Sequence, residues 1–446
     1  MDDDDHTTRH RAVPSGRLAR LGGFGRLAGG VAGGMLAEGA RRLAKGERPR
    51  MGDLVLTPGN AARVADRLSH LRGAAMKLGQ MISMDAGDVL PAELSTILAR
   101  LRNQAYRMPP AQLDRVLRQE WGQDWRRRFR HFDASPIAAA SIGQVHRATL
   151  PDGRVLAIKV QYPGVSDSID SDVDNVATLL RVSGLLPAQL DLSPLLGEAK
   201  RQLAEEADYV REGRQMQAYR ERLAGDARYV VPQLEPTLTT RQVLAMDFIE
   251  GRSIEALADA PQAARDAAIT ALLSLVLREL FDFGVMQTDP NFANYRWQPE
   301  TGALVLLDFG ATRAVPPDTA DAYRRLIQAG LARDRDRIRE IAVETGFLGA
   351  AAAEAHRASV DRIIKAIDDA LNRPGAFDFG DRAFVPVVRE EAKAMIADRD
   401  TWHVPNVETL FVQRKVSGTA LLAARLKAHA DVRGLAAAAI GADQPS

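Results

Sequence analysis

Asp289-Pro290-Asn291-Phe292-Ala293-Asn294 and, after a short apolar run, Asp308-Phe309-Gly310 are the stretches on which the fold turns. A carboxylate, a carboxamide five positions on, and a second carboxylate on a Phe-Gly turn supply a base and two oxygen ligands of the kind Mg²⁺ prefers. Each piece is weak alone. The chain carries a second Asp-Phe-Gly at Asp378-Phe379-Gly380. No Asp-x4-Asn pattern and no apolar strand precede that copy, so it reads as a loop. Leu304-Val305-Leu306-Leu307 precedes the first copy, and this run of buried-strand type delivers Asp308 at its end.

A partner for these acids lies upstream. Val155-Leu156-Ala157-Ile158-Lys159-Val160 is a strand with one Lys in an apolar run, a costly arrangement without anionic partners. Alone, Lys159 would read as an edge-strand lysine reaching for water. Ser141 to Ala148 and the turn Pro151-Asp152-Gly153-Arg154 complete a strand-turn-strand hairpin in front of it. The ordered set of hairpin, Lys159, Asp-x4-Asn and Asp-Phe-Gly predicts an α+β chain with a protein-kinase-like two-lobe fold. In that frame Lys159 neutralises phosphate charge, Asn294 and Asp308 are metal ligands, and Asp289 accepts a proton or positions water. Val243 to Ile249 is a strand ending at Glu250-Gly251. It resembles the strand joining two kinase lobes, which places Met246 near the adenine.

The departures are as informative as the matches. The position of a Gly-rich phosphate loop reads Ala138-Ala139-Ala140-Ser141-Ile142-Gly143, and alanine restricts the backbone freedom that glycine allows. Gln287-Thr288 stands where His-Arg would precede the catalytic Asp. Asp308-Phe309-Gly310 runs quickly into Pro316-Pro317 and a helical pattern, without a long activation segment or Ala-Pro-Glu.

Taken together, these features resemble the UbiB family of AarF-type atypical kinase-like proteins. The family includes the ADCK proteins of mitochondria and the UbiB proteins of bacterial ubiquinone biosynthesis. Lys77-Leu78-Gly79-Gln80 resembles its Lys-x-Gly-Gln motif, and Ala138 to Ser141 its Ala-rich loop. Glu206-Ala207-Asp208 resembles its Glu-x-Asp pair, with Glu212 in the place of the helix-C glutamate, and Gln287 to Asn294 its modified catalytic loop. The resemblance implies that Lys77 and Gln80 reach over the nucleotide and hinder protein-kinase activity. It implies an ATP/ADP and Mg²⁺ site built from Ala138, Ala139, Ala140, Ser141, Lys159, Glu206, Asp208, Glu212, Met246, Asn294 and Asp308. Catalytic roles fall to Asp289, Lys159, Lys77 and Gln80. Both Glu206 and Glu212 remain candidates to pair with Lys159. The implied activity is an ATPase or small-molecule kinase supporting quinone-lipid synthesis. The alternatives are a protein kinase and a nucleotide-binding pseudokinase scaffold.

Composition bounds the rest. With 446 residues the chain can bury a large core in more than one lobe. A formal net charge of +1 argues against a general nucleic-acid binder. Without cysteine there is no disulfide, thiol nucleophile or Cys-ligated metal. Residues 6–50 hold ten Lys or Arg against two Glu, interleaved with Leu, Gly and Ala. Such an arm suits an anionic membrane surface, or equally a Gly-rich tether. The expected organisation is a basic arm over 1–55, a helical extension with the Lys-x-Gly-Gln motif over 56–130, an N-lobe over 131–250 and a C-lobe over 251–446. Expected helices run from Pro109-Pro110 through Trp121, and over Asp167 to Leu186, Leu192 to Leu223 and Ala264 to Gly284. Expected partners are nucleotide, a quinone-precursor lipid and the membrane surface, with a homodimer allowed for. The expected location is bacterial and cytoplasmic, at the inner face of the membrane.

Overall fold

The computed structural model describes residues 108–140, 142–182, 193–398 and 407–441. The basic arm, the Lys77 and Gln80 motif and Ser141 lie outside those residues. The described chain divides into two units, with boundaries after Arg214, Pro232 and Phe248. In chain order it opens with α1 (Pro110–Trp121), β1 (His131–Phe132), β2 (Ala138–Ala139), β3 (Gly143–Thr149) and β4 (Val155–Gln161). Helices α2 (Val165–Val182), α3 (Ser193–Glu206) and α4 (Tyr209–Arg222) follow. β5 (Tyr229–Val230) belongs to the second unit and β6 (Val243–Asp247) to the first.

The first unit is an antiparallel sheet in the order β1-β3-β4-β6, with β2 pairing the start of β3 on the same edge whose far end pairs with β1. β4 is central, which explains its continuous apolar run: both faces are covered, so period-two alternation disappears. Alternate residues still do different work. Leu156, Ile158 and Val160 share one core with Leu113, Val116, Leu117 and Trp121 of α1. Ala157, Lys159 and Gln161 fall on the opposite face. α1 starts as the Pro109-Pro110 pair predicts, with Pro110 in its first turn, and stops at Gly122, whose φ of 87° suits glycine. Trp121 anchors it by donating its indole N–H to the Leu238 carbonyl at 2.9 Å.

Behind β3 runs a buried chain of hydrogen bonds. Met108 N–H donates to Gln144 Oε1 (2.9 Å), Gln144 Nε2 donates to His146 Nε2 (2.9 Å), and His146 Nδ1 donates to the Asp133 carbonyl (2.8 Å). A second proton on His146 would face the Gln144 amide, donor against donor. Burial, partly offset by the Asp133 carbonyl, lowers the imidazole from 6.5 to about 4. The unfolded chain therefore binds the proton first, so this contribution is intact above pH 6.5 and is lost as pH falls toward 4. The expected loss is at most about 1.4 kcal/mol per pH unit across that window. His146→Gln should flatten this part of the stability profile. Parallel profiles for the two proteins would contradict the assignment.

The second unit contains β7 (Arg252–Ser253), α5 (Gln262–Arg278), β8 (Val285–Gln287), β9 (Tyr295–Trp297), β10 (Leu304–Leu306) and β11 (Thr312–Ala314). Then come α6 (Pro317–Leu331), α7 (Arg335–Glu344), α8 (Ala350–Ala355), α9 (Arg357–Leu371), β12 (Phe377–Asp378), α10 (Val385–Ala397), α11 (Val407–Leu426), β13 (His429–Ala430) and α12 (Val432–Ala439). A small sheet runs β5-β10-β9-β7, and β8 pairs with β11 as a separate ribbon.

Three sequence expectations need correction. The helix expected over Leu192 to Leu223 is two helices, α3 and α4, broken at Ala207-Asp208. Gln161 explains the break by donating Nε2 to the Ala207 carbonyl at 2.8 Å and to the Arg241 carbonyl at 3.1 Å. Asp208 therefore stands at the start of α4 rather than inside one long helix, and its carbonyl accepts the Glu212 N–H at 3.0 Å. It caps α4, its Oδ1 accepting from Arg211 N–H at 3.0 Å. The helix expected to reach Gly284 ends as α5 at Arg278 and continues as one π-turn over Glu279–Phe283, closed by Gly284 at φ 61°. The second Asp-Phe-Gly is not wholly loop, because Phe377–Asp378 pairs with His429–Ala430.

Candidate active site

In the first unit, register places Lys159 opposite Val145 on β3 and Leu244 on β6. Its Nζ meets both carboxylate oxygens of Glu212, at 2.9 and 3.1 Å, and lies 5.1 Å from the centre of the Tyr209 ring. Lys159 is 8% exposed and Glu212 1%. An ammonium so enclosed stays charged only beside an anion. Of the two candidate partners, Glu212 is the one the structure brings to Lys159. Glu206 ends α3, half-buried, and Asp208 follows across the turn. Gln161, two residues after Lys159 and on the same face, pins that turn. It was legible as a polar residue closing an apolar strand, yet sequence reasoning passed over it.

Ala138 and Ala139 form the exposed strand β2 against Val145 and Gln144, and Ala140 N–H donates to the Gly143 carbonyl at 2.9 Å. Gly143 is kept for packing: a Cβ there would lie 2.3 Å from the Val160 carbonyl oxygen. Met246 lies within the sheet, paired with Ala157 on one side and bridged to Leu234 on the other, and its side chain is buried.

The second unit gathers the acids. β9 and β10 pair antiparallel with Tyr295 opposite Leu306. That register brings Asn294 beside Leu307, whose N–H donates to the Asn294 carbonyl at 3.0 Å. A hairpin thus closes the sequence gap between Asn294 and Asp308. Asn294 Nδ2 donates to Asp289 Oδ2 at 3.2 Å. With its nitrogen so committed, the Asn294 amide oxygen is the atom left to meet a cation. Asp308 Oδ1 accepts from Gly310 N–H at 3.0 Å, which sets the turn. Phe309 is buried, 5.0 Å from the Tyr219 ring centre. Thr288 donates N–H and Oγ–H to the Ala311 carbonyl, tying the loop of Asp289 to the chain after Gly310. A carboxamide and a carboxylate oxygen are hard donors that fit Mg²⁺. Among the described residues no three His, Asp or Glu side chains converge on one point. A cation held by this pair would take its remaining ligands from elsewhere, as phosphate oxygens supply.

Beneath the loop lies a polar cluster that sequence reasoning missed. Lys415 of α11 is 1% exposed and Glu279 of the π-turn 0%. Lys415 Nζ lies 3.3 Å from Glu279 Oε2, donates to the Tyr295 hydroxyl at 3.0 Å and to Gln287 Oε1 at 3.3 Å. Glu279 Oε1 accepts from the Tyr219 hydroxyl at 2.9 Å and from Gln287 N–H at 3.2 Å. Burial alone would lower the Lys415 ammonium, but Glu279 and Tyr295 more than offset this and raise it. Burial raises the Glu279 carboxyl, and Lys415 is the main opposing influence.

The model for the ABC1 atypical kinase-like domain matches residues 100–342. Mitochondrial atypical kinase COQ8 of Saccharomyces cerevisiae is 38% identical over 95% of this chain and 84% of its own length. Mitochondrial atypical kinase COQ8B of Rattus norvegicus is 37% identical over 96% of this chain and 81% of its own. Among solved structures, the complex of Rv3197 with erythromycin from Mycobacterium tuberculosis superposes with a TM-score of 0.59 at 23% identity. It covers 85% of this chain and 95% of that one, a likeness of fold. The expected bacterial location at the inner face of the membrane does not stand, because these curated relatives are named as mitochondrial. No helix among the described residues is long and apolar enough to cross a membrane.

Proposed function

This chain belongs to the ABC1 atypical kinase-like family, the UbiB group its motifs resemble, and on that premise we propose that it uses Mg-ATP for ATP hydrolysis or phosphoryl transfer to a small molecule. The observation that carries this reading is the hairpin that sets Asn294 and Asp308 together with Asp289. Bound Mg²⁺ would neutralise phosphate charge there. Lys159 contributes a second positive charge for the phosphates, and Glu212 holds its ammonium in place. Asp289 accepts a proton from the attacking hydroxyl or orients a water. The Asn294 amide fixes which carboxylate oxygen faces away from it. Only Ala311 to Pro316 separate Gly310 from α6, which leaves little chain for a peptide-binding platform and favours a small acceptor over a protein.

Within this reading Ala138, Ala139, Ala140 and Ser141 lie over the phosphates, Met246 near the base, and Lys77 and Gln80 over the site. Glu206 and Asp208 are the acids available to the Lys77 motif. Family resemblance supports a role in quinone-lipid synthesis, with a quinone-precursor lipid as a partner and an anionic membrane surface as the partner of the basic arm. Nucleotide binding should depend on metal. At a concentration about 100 times Kd, ATP with Mg²⁺ should stabilise the protein by about 2.7 kcal/mol, read as a thermal shift. The shift should shrink with EDTA and in Asp308→Asn. Equal shifts under all three conditions would count against Asn294 and Asp308 as the metal ligands.

A further inference from the structure

We propose that α11 positions the catalytic loop, Lys415 holding Gln287 and Gly418 seating Pro290, so that Asp289 is fixed from below. Gln287 and Pro290 flank Thr288-Asp289, so the helix grips the loop on both sides of the base. The two contacts are independent. Lys415 reaches Gln287 Oε1 and the Tyr295 hydroxyl through its ammonium. Gly418, three residues on and on the same face, meets Pro290 through bare backbone. A Cβ at Gly418 would lie 2.1 Å from Pro290 Cβ and 2.8 Å from Cγ. No side chain fits there without moving the loop.

The polar half of the grip has a reason beyond stability. A buried ion pair is seldom more stable than apolar residues of the same volume, whereas its directional bonds select one arrangement. Here those bonds end on Gln287 and Tyr295, one on each side of the loop. Glu279, which holds Lys415 and the Gln287 N–H, sits on the π-turn that interrupts the end of α5. Such single-turn insertions are frequent at functional sites. Lys415 and Gly418 act through the loop and are positioning residues.

The activity arm of the test rests on the proposed reaction, and the exchange arm does not. Gly418→Ala should speed amide hydrogen exchange across residues 287–294 and lower turnover of Mg-ATP by about 10²-fold, the cost of displacing a reacting group by about an ångström. Nucleotide affinity should stay near that of the parent. Pro290→Gly removes the atoms that the new methyl meets, so Gly418→Ala/Pro290→Gly should recover slow exchange and most of the turnover. Pro290→Ala keeps the offending Cβ and should not rescue. If Gly418→Ala does not fold, the double variant should. Unchanged exchange in Gly418→Ala, or a double variant no better than the single one, would overturn the proposal. A parent protein without turnover would instead sink the proposed reaction and leave the exchange result to decide the positioning.

Discussion

Asp289→Asn is expected to lower turnover of Mg-ATP by about 10²–10⁴-fold, the range for removing a positioned general base. The change is nearly isosteric, and an amide oxygen can still accept from Asn294 Nδ2, so the loop should keep its shape. The loss should therefore appear in kcat, with the Mg²⁺-dependent thermal shift by nucleotide retained. A variant that turns over normally would remove Asp289 from the chemistry. One that loses binding in proportion to turnover would make it a ligand for the nucleotide complex rather than a base.

Lys415→Met should be the most damaging single change to stability, by about 3–5 kcal/mol, because it strands the Glu279 carboxylate in the interior. The two residues should couple. Glu279→Gln in the same chain should recover part of the loss, giving non-additive effects of about 1–3 kcal/mol in urea unfolding. Acid should help as well. Without its ammonium, Glu279 holds a proton more tightly in the folded than in the unfolded chain, so stability of Lys415→Met falls as pH rises from the ordinary carboxylate range up through the raised folded value. Additive effects, or a variant whose stability is insensitive to pH there, would mean that the cluster is held by something other than this ion pair.

Much of the site was readable because its chemistry is written in consecutive residues. An apolar run ending in Asp308 became β10, and a lone Lys in another became the buried Lys159 of β4. Pro109-Pro110 marked the start of α1 correctly because proline is preorganised for a first helical turn. What escaped was tertiary. Nothing in Leu203-Ala204-Glu205-Glu206-Ala207-Asp208-Tyr209 breaks a helix by propensity. The break comes from Gln161 reaching the Ala207 carbonyl from a strand far back in the sequence. Lys415 stands in Gln413-Arg414-Lys415-Val416-Ser417, a mostly polar stretch that does not single it out. Its burial depends on α11 packing over Gln287 and Tyr295, and no periodicity reports that. Glu279 likewise looks like a polar residue near a helix end, and only the π-turn turns it inward. The pairing of Lys159 was open between two glutamates until the α3–α4 break placed Glu212 against it.

Phosphate release by the purified full chain with Mg-ATP, set beside Asp308→Asn and an EDTA control, tests the central claim most directly. Steady release by the parent that disappears both in Asp308→Asn and on chelation is the predicted result. Release that persists in folded Asp308→Asn would place the chemistry elsewhere. A folded parent that releases no phosphate in buffer, in detergent or with anionic vesicles, and transfers none to a quinone-precursor mimic, would contradict the account.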